Sequence, residues 1–409
     1  MNPIFKRSDF IPDVEARVMP DGRAYFYGSQ DKCKDYWCSG EYKVYSTADM
    51  VSFTDHGKSF DINRLEGNTV SARLYSCDCI HKDGKYYLYP SSNGGPEWVA
   101  ESGSPTYFEK GVRMKNVHGI DATVLVDDDG QPYYYWGQKN LKAAKLKPDM
   151  TEVDESTIRE NILTEKEHFF HEGASIRKRG GVYYMVFADG SRNGKNSHYG
   201  FTPTCLGYAT GESPFGPFTY RGVIIDNVSC DPAAWNNHGS IECINGQWYV
   251  FYHRSTCCTP YMRRACCEKI EFDGNGLIPE VPMTSSGAQD FIEASGTLGA
   301  ELFCSLSGGC YLAADKPVEK LTNISPAAVA VMRYIKLSAK NTHIKIEGGG
   351  EGKITVAVKD KKNITAIAAE IDFCGGKNNT FPIKAPDGIY ELIFSFRSSK
   401  NLEISSVAF

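Results

Sequence analysis

The chain has 409 residues, of which 41% are hydrophobic and 23% charged, the balance of a soluble globular protein. Its formal net charge of −5 argues against nucleic acids and anionic membranes as partners. No segment approaches the roughly 20 apolar residues that span a bilayer, and the opening segment MNPIFKRSDFIPD lacks the apolar stretch of a signal peptide. We therefore expect a cytoplasmic, two-domain protein whose 14 Cys residues are reduced and mostly buried.

One signature recurs five times in the first part of the chain, a glycine followed three residues later by a tyrosine. The five glycines are Gly22, Gly84, Gly130, Gly181 and Gly246, separated by 62, 46, 51 and 65 residues. A glycine supplies the positive φ of a hairpin turn, and the aromatic run after it suits a buried strand. The spacing is that of four-stranded propeller blades. The repeat predicts a five-bladed β-propeller over residues 1–285.

The composition changes after residue 283, since all five Trp and 21 of the 24 Tyr precede it. The later segments HIKIEGGGEGKITVAVKD and IYELIFSFRSS alternate apolar and polar residues around glycine-rich stretches that we interpret as turns. Such alternation is typical of antiparallel sheets with one buried face. We expect residues 290–409 to form a β-sandwich of the jelly-roll type, which makes the whole chain all-β.

Three acidic residues open blade-like units in apolar or aromatic surroundings: Asp13 in FIPDVEARV, Asp121 in HGIDATVLV and Glu172 in FFHEGASI. The inner ends of successive blades converge on the propeller axis, so these carboxylates are expected to meet there. Hydrolysis of a glycosidic bond needs one carboxylic acid to protonate the leaving oxygen and a second carboxylate to activate water. A third carboxylate nearby raises the pKa of the acid by charge repulsion.

Several segments, in this order and spacing, resemble glycoside hydrolase family 43 over residues 3–285. They are PDVEARVMPDGRAYFYGSQD, IDATVLVDDDGQPYYYWG, HEGASIRKRGGVYYMVF, LGYATGESPFGPFTYRG and NNHGSIECINGQWYVFYHR. The resemblance implies a five-bladed propeller enzyme that acts with inversion on arabinose- and xylose-containing glycans. It further implies that Asp13 is the general base, that Asp121 orients the acid and tunes its pKa, and that Glu172 is the general acid.

The same resemblance implies substrate-binding roles for further residues. Arg263 matches an Arg that contacts the sugar, although the neighbouring Arg264 leaves the register open. His238 matches a His near the axis where some members hold a cation, such as calcium, through waters; no protein-ligated metal and no required cofactor are expected. Asp78 matches an Asp near the site, and His171 precedes the proposed acid.

Tryptophans are the other candidates for contact with sugar, because an indole ring stacks on the C–H face of a sugar. Trp136 is a predicted platform, with Trp98 and Trp235 as further candidates.

Three prolines of the family pattern are replaced here. Val14 follows the base, Ala122 follows the modulator, and Ala174 lies two residues after the acid. Because proline fixes φ, we expect the carboxylates to keep their places on a less constrained backbone.

The resulting hypothesis is an inverting, exo-acting hydrolase that removes α-L-arabinofuranosyl or β-D-xylosyl residues from plant-derived oligosaccharides. Inversion predicts base and acid carboxyl groups about 6.5–9.5 Å apart. Two alternatives stay open: a family member that acts on another furanoside such as β-galactofuranoside, and a non-catalytic sugar-binding propeller. The second domain resembles a family 6 carbohydrate-binding module; the alternative is a sandwich that packs on the propeller and shapes the rim of the cleft.

Overall fold

The computed structural model describes residues 1–192, 202–376 and 379–409. Five sheets arranged as propeller blades are followed by one large curled sheet, which confirms the predicted all-β fold. The described helices are one short α-helix and three single 3₁₀ turns: α1 (Glu165–His168), Ile62–Arg64, Glu155–Thr157 and Ala300–Leu302. Within the described residues, no helix is long and apolar enough to cross a membrane.

The first three blades are antiparallel sheets of four strands that follow one another in sequence. Blade one contains β1 (Glu15–Val18), β2 (Ala24–Gly28), β3 (Glu41–Thr47) and β4 (Phe53–Asp61). Blade two contains β5 (Leu74–Lys82), β6 (Lys85–Ser92), β7 (Pro96–Ser102) and β8 (Gly111–His118). Blade three contains β9 (Thr123–Val126), β10 (Pro132–Trp136), β11 (Asn140–Lys145) and β12 (Arg159–Thr164).

Blade four has the same form, whereas blade five has three strands in the described part of the chain. Blade four contains β13 (Phe170–Arg179), β14 (Val182–Asp189), β15 (Cys205–Gly211) and β16 (Phe218–Asp226). Blade five contains β17 (Ser240–Ile244), β18 (Gln247–Thr256) and β19 (Thr259–Ile270).

The five signature glycines lie at equivalent turns, between the first and second strand of each blade. Their φ angles are 80°, 80°, 81°, 81° and 82° in chain order, the left-handed values that the repeat predicts. The aromatic runs after them pack between blades. Each pair of adjacent blades, including the last and the first, encloses one cluster of buried apolar side chains. The clusters account for the excess of Tyr in this part of the chain.

The N-terminal segment takes the place of a fourth strand in blade five. The Asn2 side chain donates to the Cys267 carbonyl at 3.0 Å and accepts from the Cys267 N–H at 2.9 Å. The Ile4 N–H donates to the Ala265 carbonyl at 3.0 Å. These bonds cover the edge of β19 and join the first blade to the last, which closes the ring.

The second domain is a ten-stranded sheet. Its strands are β20 (Ile292–Glu293), β21 (Thr297–Gly299), β22 (Ser305–Ser307), β23 (Tyr311–Ala313), β24 (Lys320–Thr322), β25 (Val329–Leu337), β26 (His343–Lys359), β27 (Thr365–Cys374), β28 (Thr380–Pro382) and β29 (Gly388–Ala408). The long strands β26 and β29 pair with each other and with strands on both sides, so the sheet curls around a single core.

The glycine run of this domain differs from the expectation of a turn. Gly348, Gly349 and Gly350 lie inside β26, where the register with β29 shifts at two bulges around them. A Cβ on Gly348 would stand 1.9 Å from the Glu403 carbonyl oxygen. The glycines therefore permit close approach of two bent strands, and periodicity alone cannot separate this use from a turn.

All 14 cysteines are free thiols, and ten of them are buried. The predicted preference for buried thiols is confirmed.

The curled sheet packs directly on the propeller through a buried ion pair. Arg264 Nη1 contacts both carboxylate oxygens of Glu319 at 2.8 Å, and both side chains are at most 2% exposed. Backbone bonds flank the pair, from Cys257 N–H to the Leu312 carbonyl at 2.7 Å and from Leu306 N–H to the Ser229 carbonyl at 2.7 Å.

Removal of the Glu319 carboxylate is expected to destabilise the protein strongly. Glu319→Ala leaves the Arg264 charge buried without its partner, which costs about 3–5 kcal/mol. Glu351→Ala, at the exposed pair with Lys400, is the matched control and should cost less than about 1 kcal/mol. Urea unfolding measures both values. Equal losses for the two variants would contradict the assigned role of the buried pair.

Candidate active site

A pocket opens on the propeller axis, at the end where the innermost strands β1, β5, β9, β13 and β17 begin. It brings together all three carboxylates predicted to meet. Its volume is about 180 Å³. It is lined by Asp13, Tyr36, Trp37, Cys38, Tyr75, Ser76, Ile120, Asp121, Gln138, Glu172, Trp235, Asn236, His238 and Arg263.

Asp13 lies just before β1 and is 5% exposed. Its Oδ2 accepts from the Ser29 hydroxyl at 2.6 Å, and its Oδ1 accepts from Arg263 Nη1 at 2.9 Å. His253 Nδ1 stands 3.4 Å from the same Oδ1. Burial works to raise the pKa of Asp13, but the Arg263 charge and the neighbouring His253 and His238 side chains outweigh it and hold the pKa well below its usual range. Asp13 is therefore ionised at neutral pH.

Asp121 lies just before β9 and is also 5% exposed. The Ser76 hydroxyl donates to its Oδ1 at 2.7 Å, and its own N–H donates to Ser91 Oγ at 2.8 Å. Burial raises the pKa of Asp121 to about 6. His238 opposes the rise, whereas the Glu172 and Asp13 charges add to it.

Both aspartates occupy the left-handed region of backbone conformation, with φ of 56° at Asp13 and 58° at Asp121. For a residue other than glycine such a conformation costs on the order of 1 kcal/mol and marks a functional constraint when several occur in one pocket. Asp13 and Asp121 both line the pocket, although Val14 and Ala122, and not prolines, follow them in the chain.

Glu172 lies near the start of β13, where the pairing with β14 is interrupted by bulges on both sides of it. Gln138 Nε2 donates to Glu172 Oε2 at 2.7 Å. The bulges turn the Glu172 side chain towards the propeller axis. His171 Nε2 stands 3.8 Å from Glu172 Oε2, and the His171 ring packs edge-on against Trp235 at 6.0 Å between centroids. His171 therefore lies behind the wall of the pocket.

His238 lies between Asp13 and the backbone next to Glu172. Its Nδ1 is 3.8 Å from Asp13 Oδ1. Its ring also presses on the backbone next to Glu172, because a Cβ on Gly173 would stand 2.6 Å from His238 Cε1. Gly173 has a φ of 65°, so both conformation and space require glycine there.

The structure resolves the register of the two arginines, since successive residues of β19 point to opposite faces. Arg263 points into the pocket, where its Nε donates to Asp31 Oδ2 at 2.9 Å and its Nη1 donates to Asp13. Arg264 points away, to Glu319 of the second domain. Asp31 was not among the residues predicted from the sequence.

Asp78 does not line the pocket, and it is fully buried. Arg17 Nε donates to its Oδ1 at 2.9 Å, and the Val124 N–H donates to its Oδ2 at 2.7 Å. Burial works to raise its pKa, but the Arg17 charge holds the pKa of Asp78 below its usual range. Asp78 therefore ties β1, β5 and β9 together below the pocket, a structural role in place of the predicted contact with substrate.

The ion pairs continue around the axis. Glu15 Oε1 accepts from Arg177 Nη2 at 2.6 Å and lies 3.3 Å from Arg17 Nε. Arg177 Nε donates to Glu242 Oε2 at 2.9 Å. These charges come from β1, β13 and β17. Together with Asp78 of β5 the alternating pairs connect four of the innermost strands, and β9 is joined to them through the Val124 N–H that donates to Asp78.

Trp136 is not a platform for sugar, because it is 3% exposed and packs against Tyr134 in the core between blades two and three. Trp98 is buried as well and donates to Ser92 Oγ at 3.1 Å. Trp235 does line the pocket. It stands beside Trp37, with 5.4 Å between ring centroids.

Sequence reasoning missed several lining residues, among them Trp37, Tyr75, Gln138 and Asn236. Gln138 had a signal, since it stands two residues after a signature strand, where the chain turns towards the axis. Trp37 lies in an irregular segment without periodicity, so its position depends on tertiary packing that the local sequence does not encode.

The family model for glycosyl hydrolases family 43 matches residues 1–278. The chain belongs to this family. It is therefore a glycosidase, and the family assignment agrees with the propeller and with the carboxylates on its axis.

Two of the relatives named here cover nearly all of this family 43 enzyme, and a third covers its first two thirds. A xylosidase/arabinosidase of Thermoclostridium stercorarium is 28% identical and covers 99% of this chain and 98% of its own. A family 43 β-xylosidase/α-arabinofuranosidase from a compost metagenome is 27% identical, covers 69% of this chain and 97% of its own, and has a TM-score of 0.59. An arabinoxylan arabinofuranohydrolase of Bacillus subtilis, 22% identical with a TM-score of 0.57 over 100% of this chain and 97% of its own, shares the two-domain fold.

The structure of the relative from compost is a calcium-free form. We therefore looked for side chains of this enzyme that could ligate a cation. Among the described residues, no three His, Cys, Asp or Glu side chains converge as a ligand set. His238 faces Asp13 through its Nδ1 at 3.8 Å. A cation held through waters near His238 stays a prediction.

Gly173→Ala is expected to lower kcat by about 100-fold, because the added methyl collides with His238 and displaces the neighbouring Glu172. Gly180→Ala is the matched control. Gly180 also has positive φ, at 57°, but no atom of the described residues lies within 4 Å of its added Cβ. The control should lose about 1 kcal/mol of stability and keep its kcat. Initial rates on an aryl glycoside measure the difference, and equal kcat values for both variants would contradict the packing described here.

Proposed function

We propose that this family 43 enzyme is an inverting, exo-acting hydrolase that removes α-L-arabinofuranosyl or β-D-xylosyl residues from plant-derived oligosaccharides. The observation that carries the proposal is the pocket itself. Asp13, which is ionised, and Glu172 approach one cavity from different blades, and His238 lies between Asp13 and the backbone next to Glu172. The choice of sugar is supported by the names of the relatives, a xylosidase/arabinosidase and a β-xylosidase/α-arabinofuranosidase.

In the proposed mechanism Asp13 is the general base. Its carboxylate is fixed by the Ser29 hydroxyl and by Arg263, and it takes a proton from the water that attacks the anomeric carbon. Glu172, held by Gln138, donates a proton to the leaving oxygen on the opposite face of the sugar. Asp121 lies in the same pocket and places a further carboxyl group near Glu172. Acid and base are both side chains of this chain, so the proposed reaction requires no cofactor.

Exo action is supported by the size of the pocket. A volume of about 180 Å³ lies below the roughly 300–1,000 Å³ of sites that enclose drug-sized ligands. Such a pocket suits one sugar ring, the terminal residue of an oligosaccharide, with the leaving group outside. The exposed Tyr36 beside Trp37 is placed to contact that leaving group.

The acid and the base are distinguished by their response to the leaving group. Dinitrophenolate departs without protonation, so Glu172→Gln should retain kcat within about tenfold on a dinitrophenyl glycoside and lose about 10²–10⁴-fold on the methyl glycoside. Asp13→Asn should lose about 10²–10⁴-fold on both, because water still has to be activated. The substrates are α-L-arabinofuranosides and β-D-xylosides, with a β-D-galactofuranoside as comparison.

Asp129→Asn, in an exposed hairpin turn, is the control and should match the unmodified enzyme. Equal losses of Glu172→Gln on both leaving groups would contradict its assignment as the acid. Turnover of the galactofuranoside alone would contradict the proposed sugar, and the absence of turnover on all three sugars would favour the sugar-binding propeller.

We also propose that the curled sheet supports the rim of the pocket. Lys34 lies three residues before the pocket residue Trp37, and its Nζ contacts Asp315 of the second domain at 2.7 Å. The Thr259 hydroxyl donates to the Lys34 carbonyl at 3.0 Å. The segment that carries Trp37 is thus held by an ion pair from the second domain and by a hydrogen bond from β19 of blade five. This arrangement does not require the second domain to bind glycan.

Reversal of the two charges tests whether the ion pair between Lys34 and Asp315 supports the rim of the pocket. Lys34→Glu and Asp315→Lys should each raise KM for an oligosaccharide about 2- to 5-fold, as expected for loss of a partly exposed ion pair, and the double variant should restore it. Lys336→Glu, at the exposed pair with Glu293, is the control. If the double variant is no better than the single ones, the ion pair does not support the rim.

A further inference from the structure

Glu97 in β7 is a fully buried carboxyl group that the proposed mechanism does not use. Within the described part of the chain, no cationic side chain forms an ion pair with it, although buried carboxylates are ordinarily paired. Its polar contacts are two hydroxyl groups. Ser91 Oγ donates to its carboxyl oxygens at 3.2 and 3.3 Å, and Tyr134 Oη donates to its Oε2 at 3.3 Å.

Ser91 joins Glu97 to the pocket. The two residues stand opposite each other in the hairpin of β6 and β7. The Ser91 hydroxyl donates to Glu97 and at the same time accepts from the Asp121 N–H at 2.8 Å. A hydroxyl has one proton and two lone pairs, so the partner of its proton decides where its lone pairs point. Glu97 thereby directs the Ser91 lone pair at the Asp121 amide.

The Asp121 backbone needs such an anchor. Its φ of 58° is unfavourable for a residue with a side chain. The Ser91 bond fixes the N–H of this residue, while Ser76 fixes its carboxylate. Loss of the backbone anchor would release Asp121 towards ordinary φ values and move its carboxylate away from Glu172.

Glu97 is protonated at neutral pH. Burial raises the pKa of Glu97 to about 8, and the Asp121 charge adds to the rise. The titratable groups that face it are Asp121, Tyr134 from β10 and Tyr42 from β3. None is a cation, so ionisation above pH 8 places a second negative charge beside Asp121.

We propose that Glu97 is a positioning residue for Asp121 and acts through the Ser91 hydroxyl. The inference rests on the proposed role of Asp121 in catalysis, since Glu97 itself touches no part of the pocket. It does not depend on which sugar the enzyme takes.

The kinetic test uses Ser91→Ala, Glu97→Ala and the double variant on an aryl glycoside. Each single variant should lower kcat about tenfold with KM changed less than about twofold, and the double variant should fall no further, because both substitutions remove the same anchor.

Glu97→Gln keeps an acceptor for Ser91 and should restore the kcat that Glu97→Ala loses. The ratio of its kcat to that of the unmodified enzyme should be flat from pH 5 to 7 and rise above pH 8, because the amide cannot ionise. Glu101→Gln, an exposed position of the same strand, is the control.

Amide hydrogen exchange gives an independent readout that needs no turnover. The Asp121 amide should exchange faster in Ser91→Ala and Glu97→Ala than in Glu101→Gln. Failure of the proposed function would appear as an unmodified enzyme without turnover, with this exchange pattern intact. Three results would each overturn the inference. The first is unchanged exchange of the Asp121 amide, and the second is a fall in kcat of the double variant equal to the product of the falls in the two single variants. The third is a ratio of kcat values for Glu97→Gln that does not change with pH.

Discussion

Ion pairs along the propeller axis are the interaction on which the site depends. Five innermost strands meet around a narrow axis, and Glu15, Arg17, Asp78, Arg177 and Glu242 alternate in sign between them. A buried charge is tolerated only when it is paired, so the pairs Arg17–Asp78, Glu15–Arg177 and Arg177–Glu242 each constrain the register of two strands from different blades. Asp13 lies two residues before Glu15, and Asp121 three before Val124, whose N–H binds Asp78. The network thereby fixes where the carboxylates stand.

Buried electrostatics assign different protonation states to the carboxyl groups in and beside the pocket. Asp13 meets an arginine and stays ionised. Asp121 meets hydroxyl groups and other carboxylates, and its pKa is raised to about 6. Glu97 has no cation among its described contacts and holds its proton. The difference comes from the partners and not from depth of burial, since all three side chains are buried. Left-handed backbone at Asp13 and Asp121 is held against its conformational cost by these same partners.

The repeat made the propeller predictable, because one turn glycine with φ near 80° and one aromatic strand recur in every blade. Asp13, Asp121 and Glu172 were predictable because blade geometry sends the starts of inner strands to one point. Trp136 and Asp78 were expected to contact sugar but lie buried outside the pocket lining, since local sequence does not show whether an inner residue faces the pocket or the core. Trp37, Asp31 and Glu97 depend on contacts between distant segments. The glycine run in β26 shows the same limit, because close approach of strands and a turn require the same residue.

The stereochemistry of hydrolysis tests the central claim, that Asp13 and Glu172 serve as base and acid across one sugar ring. Proton NMR during the first minutes of hydrolysis, before mutarotation, identifies the anomer released from an aryl glycoside. The account predicts release of the sugar with inverted configuration, because a water activated by Asp13 displaces the leaving group directly. Release of the retained anomer would show that a carboxylate attacks the sugar itself, and would contradict the roles assigned to both residues.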